Sequence, residues 1–339
     1  MYLHKFKEKS IRANGCAFFP QEGTYYLTYR CNLSCRYCFQ RSQYEKGRSA
    51  YRELTFEEIK KAFGTHHFKN FFISGGEPFL REDISEIIQF FRDRTEYLSV
   101  FTNGTLVNEK HIEIMNEKNV RAWISLDGMG DAHDVNRGKN TYGRVLNTIK
   151  RLRPENVYVN TVITEENIDH LYEFYQYVKT LGIKMITFQF PMLYDRDDYF
   201  AVKYGFSYFQ GSNFSGDLSY IRKVRNLQEQ IEIENSDSCL NVRFYPFLFM
   251  DHLEEYIRGD IRDKYTLSCQ DIVKPVVKIM PDGEVVLCEC FDIRIGNLLT
   301  DNLSEGWNSE RIKKIRKKLL SNNLTEMCSR CCSLQIYEP

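Results

Sequence analysis

The chain has 339 residues, 42% of them hydrophobic, with 46 Lys and Arg set against 46 Asp and Glu, long enough for one large domain and a smaller one. The balanced charge leaves no global field favouring nucleic acid or membrane, residues 1–10 lack the apolar core of a signal peptide, and no apolar run approaches the ~18 residues that span a bilayer. Eleven cysteines without such a signal argue for metal ligands in a reducing cytoplasm, not a disulfide framework.

In chain order, strand-like segments fall at 24–29, 70–74, 98–102, 121–126, 157–163 and 185–190. Helical patterns lie between them at 55–63, 83–91, 108–116, 142–152 and 165–181. Thr55 before Phe56-Glu57-Glu58 and Thr164 before Glu165-Glu166-Asn167 read as N-caps with acidic first turns. Repeated strand–helix units predict a parallel sheet with right-handed crossovers. Such barrels keep their chemistry at the C-terminal ends of the strands.

The motifs fall at those ends. After the first strand comes Cys31-Asn-Leu-Ser-Cys35-Arg-Tyr-Cys38, three thiolates that can hold three irons of a cubane and leave the fourth open. Part of a zinc site is the alternative, but no His or Cys lies near enough in sequence to be the fourth ligand. Ser74-Gly75-Gly76-Glu77-Pro78 ends the second strand; two glycines there permit either a tight strand-to-helix turn or a ligand against the main chain. Thr102-Asn103-Gly104 ends the third as an Asn-Gly turn or a ligand contact. Ser125-Leu126-Asp127-Gly128, followed by Arg137, ends the fourth, and Asn160 sits on the fifth.

Residues 191–268 break the rhythm, with Tyr194, Tyr199, Phe200, Tyr204, Phe206, Tyr208 and Phe209 among Gly and Ser. Such density reads as packing or as a lid over the barrel mouth. In the tail, Pro281-Asp282-Gly283-Glu284 between two β-branched runs predicts a hairpin bracketed by Cys269 and Cys288. Ile295-Gly296-Asn297-Leu298, Trp307 and a basic helix then lead to Cys328-Ser-Arg-Cys331-Cys332. The basic run 311–318 reads as the wet face of an amphipathic helix striped by Ile312, Ile315 and Leu319, and its charge also suits an acidic partner or an electron donor.

The cysteine triplet and the Gly-Gly-Glu-Pro motif together resemble the radical S-adenosylmethionine (radical SAM) superfamily. That resemblance implies a partial (β/α)6 TIM-like barrel over 24–190. It also implies a 4Fe–4S cluster on Cys31, Cys35 and Cys38 whose open iron chelates S-adenosylmethionine, reductive cleavage to a 5′-deoxyadenosyl radical, and hydrogen abstraction from a substrate. Tyr37 matches the position near the adenine, and Gly75, Gly76 and Glu77 those near the methionyl amino group. Ser125 and Arg137 match contacts to ribose and carboxylate, and Asn103 and Asn160 are further strand-end candidates. The tail resembles the SPASM/twitch extension, a small α+β cluster domain over 269–339. It implies an auxiliary 4Fe–4S cluster on Cys269, Cys288, Cys328 and Cys331, with four-cysteine zinc as the alternative. The longer SPASM form carries further cysteines after this pair, whereas Cys332 is the last here. Glu289 stands where sulfatase-maturing relatives carry an acidic proton acceptor, or is simply a solvated carboxylate. Cys290 and Cys332 sit beside ligand positions; Cys16 and Cys239 read as free or buried thiols. Residues 1–23 form an N-terminal extension and 191–268 a linker or lid.

Three functions follow as expectations. The enzyme oxidatively modifies a residue of a peptide or protein, with a flavodoxin or ferredoxin-type electron donor. Otherwise it dehydrogenates or rearranges a small sugar, aminocyclitol or polyol. A non-catalytic metal-binding module is the third, opposed by the open-iron triplet. Only about two dozen residues precede the first strand, too few for an N-terminal leader-binding domain.

Overall fold

A computed structural model of the chain describes residues 2–38, 40, 52–64, 66–191, 218–235, 239–246, 252–274, 276–288, 290–291 and 293–337, with side chains from Glu8 onward. Glu289 and the aromatic run from Tyr194 to Phe209 lie outside the described residues.

Helix α1 (Tyr2–Asn14) precedes six strands: β1 (Glu22–Tyr26), β2 (Phe68–Ser74), β3 (Thr95–Thr102), β4 (Val120–Ser125), β5 (Val157–Val162) and β6 (Met185–Gln189). Each pairs in parallel with the next. Between them run α2 (Phe56–Phe63), α3 (Ile84–Arg92), α4 (Glu109–Met115), α5 (Asp131–Arg137), α6 (Tyr142–Arg151) and α7 (Leu171–Thr180). The strands and most crossovers stand where the alternating pattern puts them. Thr55 caps α2 in a full capping box with Glu58, which satisfies two end groups of the helix reciprocally.

The helix expected from 165 begins later, at Leu171. Asn167 accepts from Thr164 N (2.8 Å) and donates to the carbonyls of Asp127 and Val162 (both 2.8 Å). The segment before α7 is thus spent on bracing strand ends, and only a short 3₁₀ turn, Ile168–His170, forms there. Helix α5 also lay outside the expected set. Its seven residues are largely polar, so no apolar stripe announces it.

The sheet continues beyond the six expected strands. After α8 (Leu218–Asn235), β7 (Asn241–Tyr245) pairs in parallel with β6; it is a short edge strand with polar Asn241 and Arg243, which weakens its apolar signal. Next come α9 (Leu253–Arg258), α10 (Ile261–Lys264), β8 (Leu267–Cys269), α11 (Gln270–Val273), β9 (Val277–Ile279), β10 (Glu284–Val286), β11 (Arg294–Asn297), α12 (Leu303–Trp307), α13 (Glu310–Ser321) and β12 (Leu334–Ile336). The expected hairpin is β9–β10, closed by Gly283 at φ 85°, a left-handed position where glycine meets no steric cost. Strand β9 also pairs in parallel with β1. One ten-stranded sheet therefore runs β11-β10-β9-β1-β2-β3-β4-β5-β6-β7, while β8 and β12 form a separate antiparallel pair.

Between sheet and helices sits an aromatic core. Phe71 of β2 stacks on Phe91 of α3 (centroids 4.2 Å), and Phe63 of α2 meets Phe91 edge-on at 5.0 Å, each contact adding about 0.5–1.5 kcal/mol beyond buried area. The basic helix corrects one reading. Arg316 of α13 is not on its wet face but 0% exposed, its guanidinium 4.6 Å from the Trp307 ring and donating to Asn308 Oδ1 (3.0 Å). Among the described residues no helix is long and apolar enough to cross a membrane.

Candidate active site

The C-terminal ends of the strands open into one cavity of about 680 Å³, within the range of small-molecule and cofactor sites. Cys31, Cys35 and Cys38 all face it from the loop after β1. Asn32 Nδ2 donates to Thr105 Oγ1 (2.9 Å) and accepts at Oδ1 from Asn103 Nδ2 (2.9 Å), while Arg36 N donates to the Asn136 carbonyl (3.1 Å). The triplet is thus tied to the end of β3 and to α5. Burial pushes the Cys35 thiol up to about 12 and raises that of Cys31. Thiolates that are costly to form in isolation are chemically suited to bound iron, whose charge supplies what burial removes. The Sγ of Cys31 also accepts from Leu33 N at 3.4 Å.

Gly75 and Gly76 line the cavity, and the geometry admits no side chain at either. A Cβ would stand 2.5 Å from Thr28 O at Gly75, where φ is 140°, and 2.2 Å from Arg30 O at Gly76. Gly76 N and Glu77 N donate to those same two carbonyls (2.7 and 2.8 Å). The pair therefore lets β2 end flush against the chain leading into Cys31. Glu77 is fully buried behind this turn. Its carboxylate accepts from Thr102 Oγ1 (2.7 Å), Asn103 N (2.7 Å) and Phe79 N (3.1 Å). Burial raises its pKa to about 7 despite those donors. In the protein alone Glu77 binds its neighbours, and it is Asn103, held in turn, that faces the cavity with a side-chain nitrogen 4.0 Å from Cys31 Sγ.

Ser125, Asn160, Tyr37 and Arg137 also line the cavity. Asn160 Oδ1 accepts from Thr187 Oγ1 (2.7 Å). Arg137 is buried, and Nε and Nη2 of its fork engage Asp127 (2.7 and 3.0 Å). Burial opposes the guanidinium's charge, but Asp127 more than offsets it and its pKa rises. Asp127 is 0% exposed and accepts as well from Val162 N (2.9 Å) and the Tyr37 hydroxyl. Two donors of the fork expected to reach a ligand are thus held by an internal carboxylate. Asp127 belongs to a motif legible in sequence, but nothing in sequence shows that it would tie Arg137 to the cysteine loop. His133 completes the cluster: fully buried, it accepts at Nδ1 from Asp127 N (3.1 Å), and burial lowers its pKa to about 4.

Gln270, Asp271 and Lys278 also line the cavity. Lys278 Nζ and Ser333 Oγ both donate to Asp271 Oδ2 (2.6 and 3.0 Å). Sequence reading missed this pair, because Lys278 acquires its inward position only when β9 pairs with β1, Lys278 opposite Thr24. Behind it the tail cysteines gather. Cys269, Cys288, Cys328 and Cys331 lie close enough to perturb one another electrostatically, and burial pushes Cys269 and Cys328 upward. Buried Cys290 hydrogen-bonds with Cys288 and Cys331, and Cys332 with Cys331. Six thiols thus converge on one region, two more than a four-ligand cluster needs. Cys239 is exposed and Cys16 partly so, and neither lines the cavity.

The Radical SAM superfamily domain is recognised over residues 25–178 and an iron–sulfur cluster-binding domain, SPASM, over 269–332. Among curated proteins the chain is similar to the antilisterial bacteriocin subtilosin biosynthesis protein AlbA of Bacillus subtilis (strain 168), 24% identical over 328 residues, 90% of this chain and 64% of that protein. It is also similar to the sporulation killing factor maturation protein SkfB of the same organism, 31% identical over 162 residues, 46% of this chain and 38% of that protein. The chain thus spans less than two thirds of either relative. In fold it is similar to SuiB of Streptococcus suis, solved bound to precursor peptide SuiA, with a TM-score of 0.65 at 16% identity over 97% of this chain and 74% of that one. The radical SAM domain implies a 4Fe–4S cluster and S-adenosylmethionine, and the SPASM domain auxiliary iron–sulfur. With the cysteine triplet at the mouth of a parallel β/α sheet and the second thiol group at its flank, the chain belongs to the radical SAM superfamily and carries a C-terminal SPASM domain.

Proposed function

We propose that the chain is a radical SAM maturase that oxidatively modifies a residue of a peptide or protein in a reducing cytoplasm. The observation that carries this reading is one cavity lined both by Cys31, Cys35 and Cys38 and by Asp271 and Lys278, which neighbour the tail thiols Cys269 and Cys331. A substrate held there would lie between two redox groups. The relatives support a peptide: one is a bacteriocin biosynthesis protein, another a maturation protein, and SuiB was solved with a precursor peptide.

Cys31, Cys35 and Cys38 would hold the first cluster, with S-adenosylmethionine at its open iron, and Cys269, Cys288, Cys328 and Cys331 the second. Bound there, these groups supply one-electron chemistry and hydrogen abstraction. Tyr37, Gly75, Gly76, Asn103, Ser125, Arg137 and Asn160 would orient the S-adenosylmethionine, with Glu77 supporting Asn103 from behind. Tyr26, Tyr29, Phe72 and Phe101 line the same space and would exclude water from a reactive centre. Asp271 and Lys278 offer an acceptor and a donor side by side, matching the N–H and C=O of a peptide unit. Glu289, next to Cys288, would take the proton lost on oxidation. A flavodoxin or ferredoxin-type protein would deliver the electrons.

The test is anaerobic turnover with short peptides encoded beside the gene, following 5′-deoxyadenosine and peptide mass together. Loss of two hydrogen atoms from a peptide, in step with 5′-deoxyadenosine, is expected. If sugars or polyols, and no peptide, turn over, the substrate assignment falls.

A further inference from the structure

We infer that Thr325 is a positioning residue that sets the reduction potential of the auxiliary cluster by donating a hydrogen bond to the sulfur of Cys328. The inference rests on the reading of Cys328 as a ligand. Thr325 is 3% exposed, so bulk water does not compete for its hydroxyl. Its oxygen accepts from Cys328 N (3.2 Å), which leaves its one hydrogen for Cys328 Sγ, 3.3 Å away. A buried hydroxyl satisfied in this way makes both halves of its bonding to the same residue. The neighbouring sulfur of Cys331 accepts instead from the backbone N of Ser333 (3.4 Å), a donor that no substitution of Ser333 other than proline removes.

The backbone leading into Thr325 is bent for this purpose. Asn323 and Leu324 both adopt left-handed conformations, φ 55° and 65°, tolerable for asparagine but rare for a residue as bulky as leucine. Such strain persists where surroundings over-determine it, and they do so here. Asn323 Nδ2 donates to the carbonyls of Arg262 (2.8 Å) and Tyr265 (2.7 Å), and its Oδ1 accepts from Leu267 N (2.5 Å). Leu324 is 2% exposed and donates from its backbone to Leu319 O (2.8 Å). The turn stops α13 abruptly and aims Thr325 at the cysteine three residues on. A hydrogen bond to a thiolate draws off charge and favours the more negative, reduced form of a cluster, raising its potential. Thr325 would therefore make the auxiliary cluster a readier electron acceptor.

The test uses the full chain, anaerobically reconstituted, with iron counting and EPR-monitored redox titration. Thr325→Val removes the donor at nearly constant shape and should shift the auxiliary midpoint to more negative potential with iron content unchanged. Thr325→Ser should titrate with the wild type. Equal midpoints for Thr325→Val and wild type, both fully loaded, overturn the inference. If Thr325→Val and Thr325→Ala both lose auxiliary iron while Thr325→Ser keeps it, the hydroxyl serves to build the turn, and tuning is again overturned. Should the protein with Cys31, Cys35 and Cys38 changed to Ala retain no iron at all, it is the auxiliary-cluster reading itself that fails, and the inference with it.

Discussion

Asp127→Asn is the sharpest probe of how the site is held together. The carboxylate is 0% exposed and takes hydrogen bonds from Arg137 Nε and Nη2, Val162 N and Tyr37. Asparagine keeps the shape, removes the charge and turns an NH₂ toward one or more of these donors. Arg137, 7% exposed, is then a buried cation without its counter-ion. Breaking a buried pair from one side costs about 3–5 kcal/mol, against about 0–1 kcal/mol for an exposed pair such as Arg36–Glu166. Set against the roughly 5–15 kcal/mol that stabilises a typical domain, the change should be plainly visible in anaerobic urea denaturation at matched iron loading. Arg137→Met should cost a similar amount, and the double variant less than the sum of the two, because the second change removes the charge the first one stranded. The first cluster should also load poorly in Asp127→Asn, since Tyr37 lies between Cys35 and Cys38. A loss below about 1 kcal/mol with full iron in the triplet would show that Asp127 is not the clamp described here.

Reconstituted wild type should hold about eight irons, and changing Cys31, Cys35 and Cys38 to Ala should remove about half; zinc in the tail after anaerobic preparation would defeat the auxiliary assignment. Cys290→Ser and Cys332→Ser should retain the iron that Cys331→Ser loses, and the opposite pattern would reassign the ligands. Asp271→Asn should raise KM for a peptide substrate about tenfold, the value of one charge-assisted hydrogen bond, with iron content unaltered; an unchanged KM removes Asp271 from substrate contact. His133, whose folded pKa of about 4 lies below the ordinary 6.5, contributes stability that is complete above pH 6.5 and is lost as pH falls toward 4, about 3 kcal/mol in all. His133→Phe should therefore flatten the fall in stability between pH 7 and 5, and an unaltered slope would mean that other groups govern it.

Much of this was legible in the sequence because it rests on local rules. Short apolar runs mark β2 to β6, the Thr55–Glu58 box fixes the start of α2, and Asp282-Gly283 fixes the hairpin. The cysteine triplet was readable because its three thiols lie close together in the chain. What escaped depends on partners distant in the chain. Arg137 could be matched to a motif, but its ion pair with Asp127 exists only because α5 folds back over the end of β4. Lys278 looks like any strand lysine until β9 is placed beside β1, about 250 residues earlier in the chain. Arg316 sits within a basic run whose Arg311, Lys314, Lys317 and Lys318 are exposed, and its burial is explained only by partners outside that run, the indole of Trp307 and Asn308 Oδ1. Thr325 gives no signal, because its role lies in a left-handed turn that asparagine hints at and leucine conceals.

The parallel pairing of β1 with β9, Gly23–Tyr25 against Val277–Ile279, bears on modularity. The SPASM region supplies the neighbour of the strand that delivers the cysteine triplet. Cutting the chain before the hairpin would strip β1 of hydrogen-bond partners along one side and leave a bare strand edge, an invitation to aggregation. The same seam acts as a ruler. The triplet follows β1 and Cys288 follows β10, two strands over in the same hydrogen-bonded sheet, so the spacing of these two is set by backbone pairing, while Cys269 and Cys331 lie on or beside the separate β8–β12 pair.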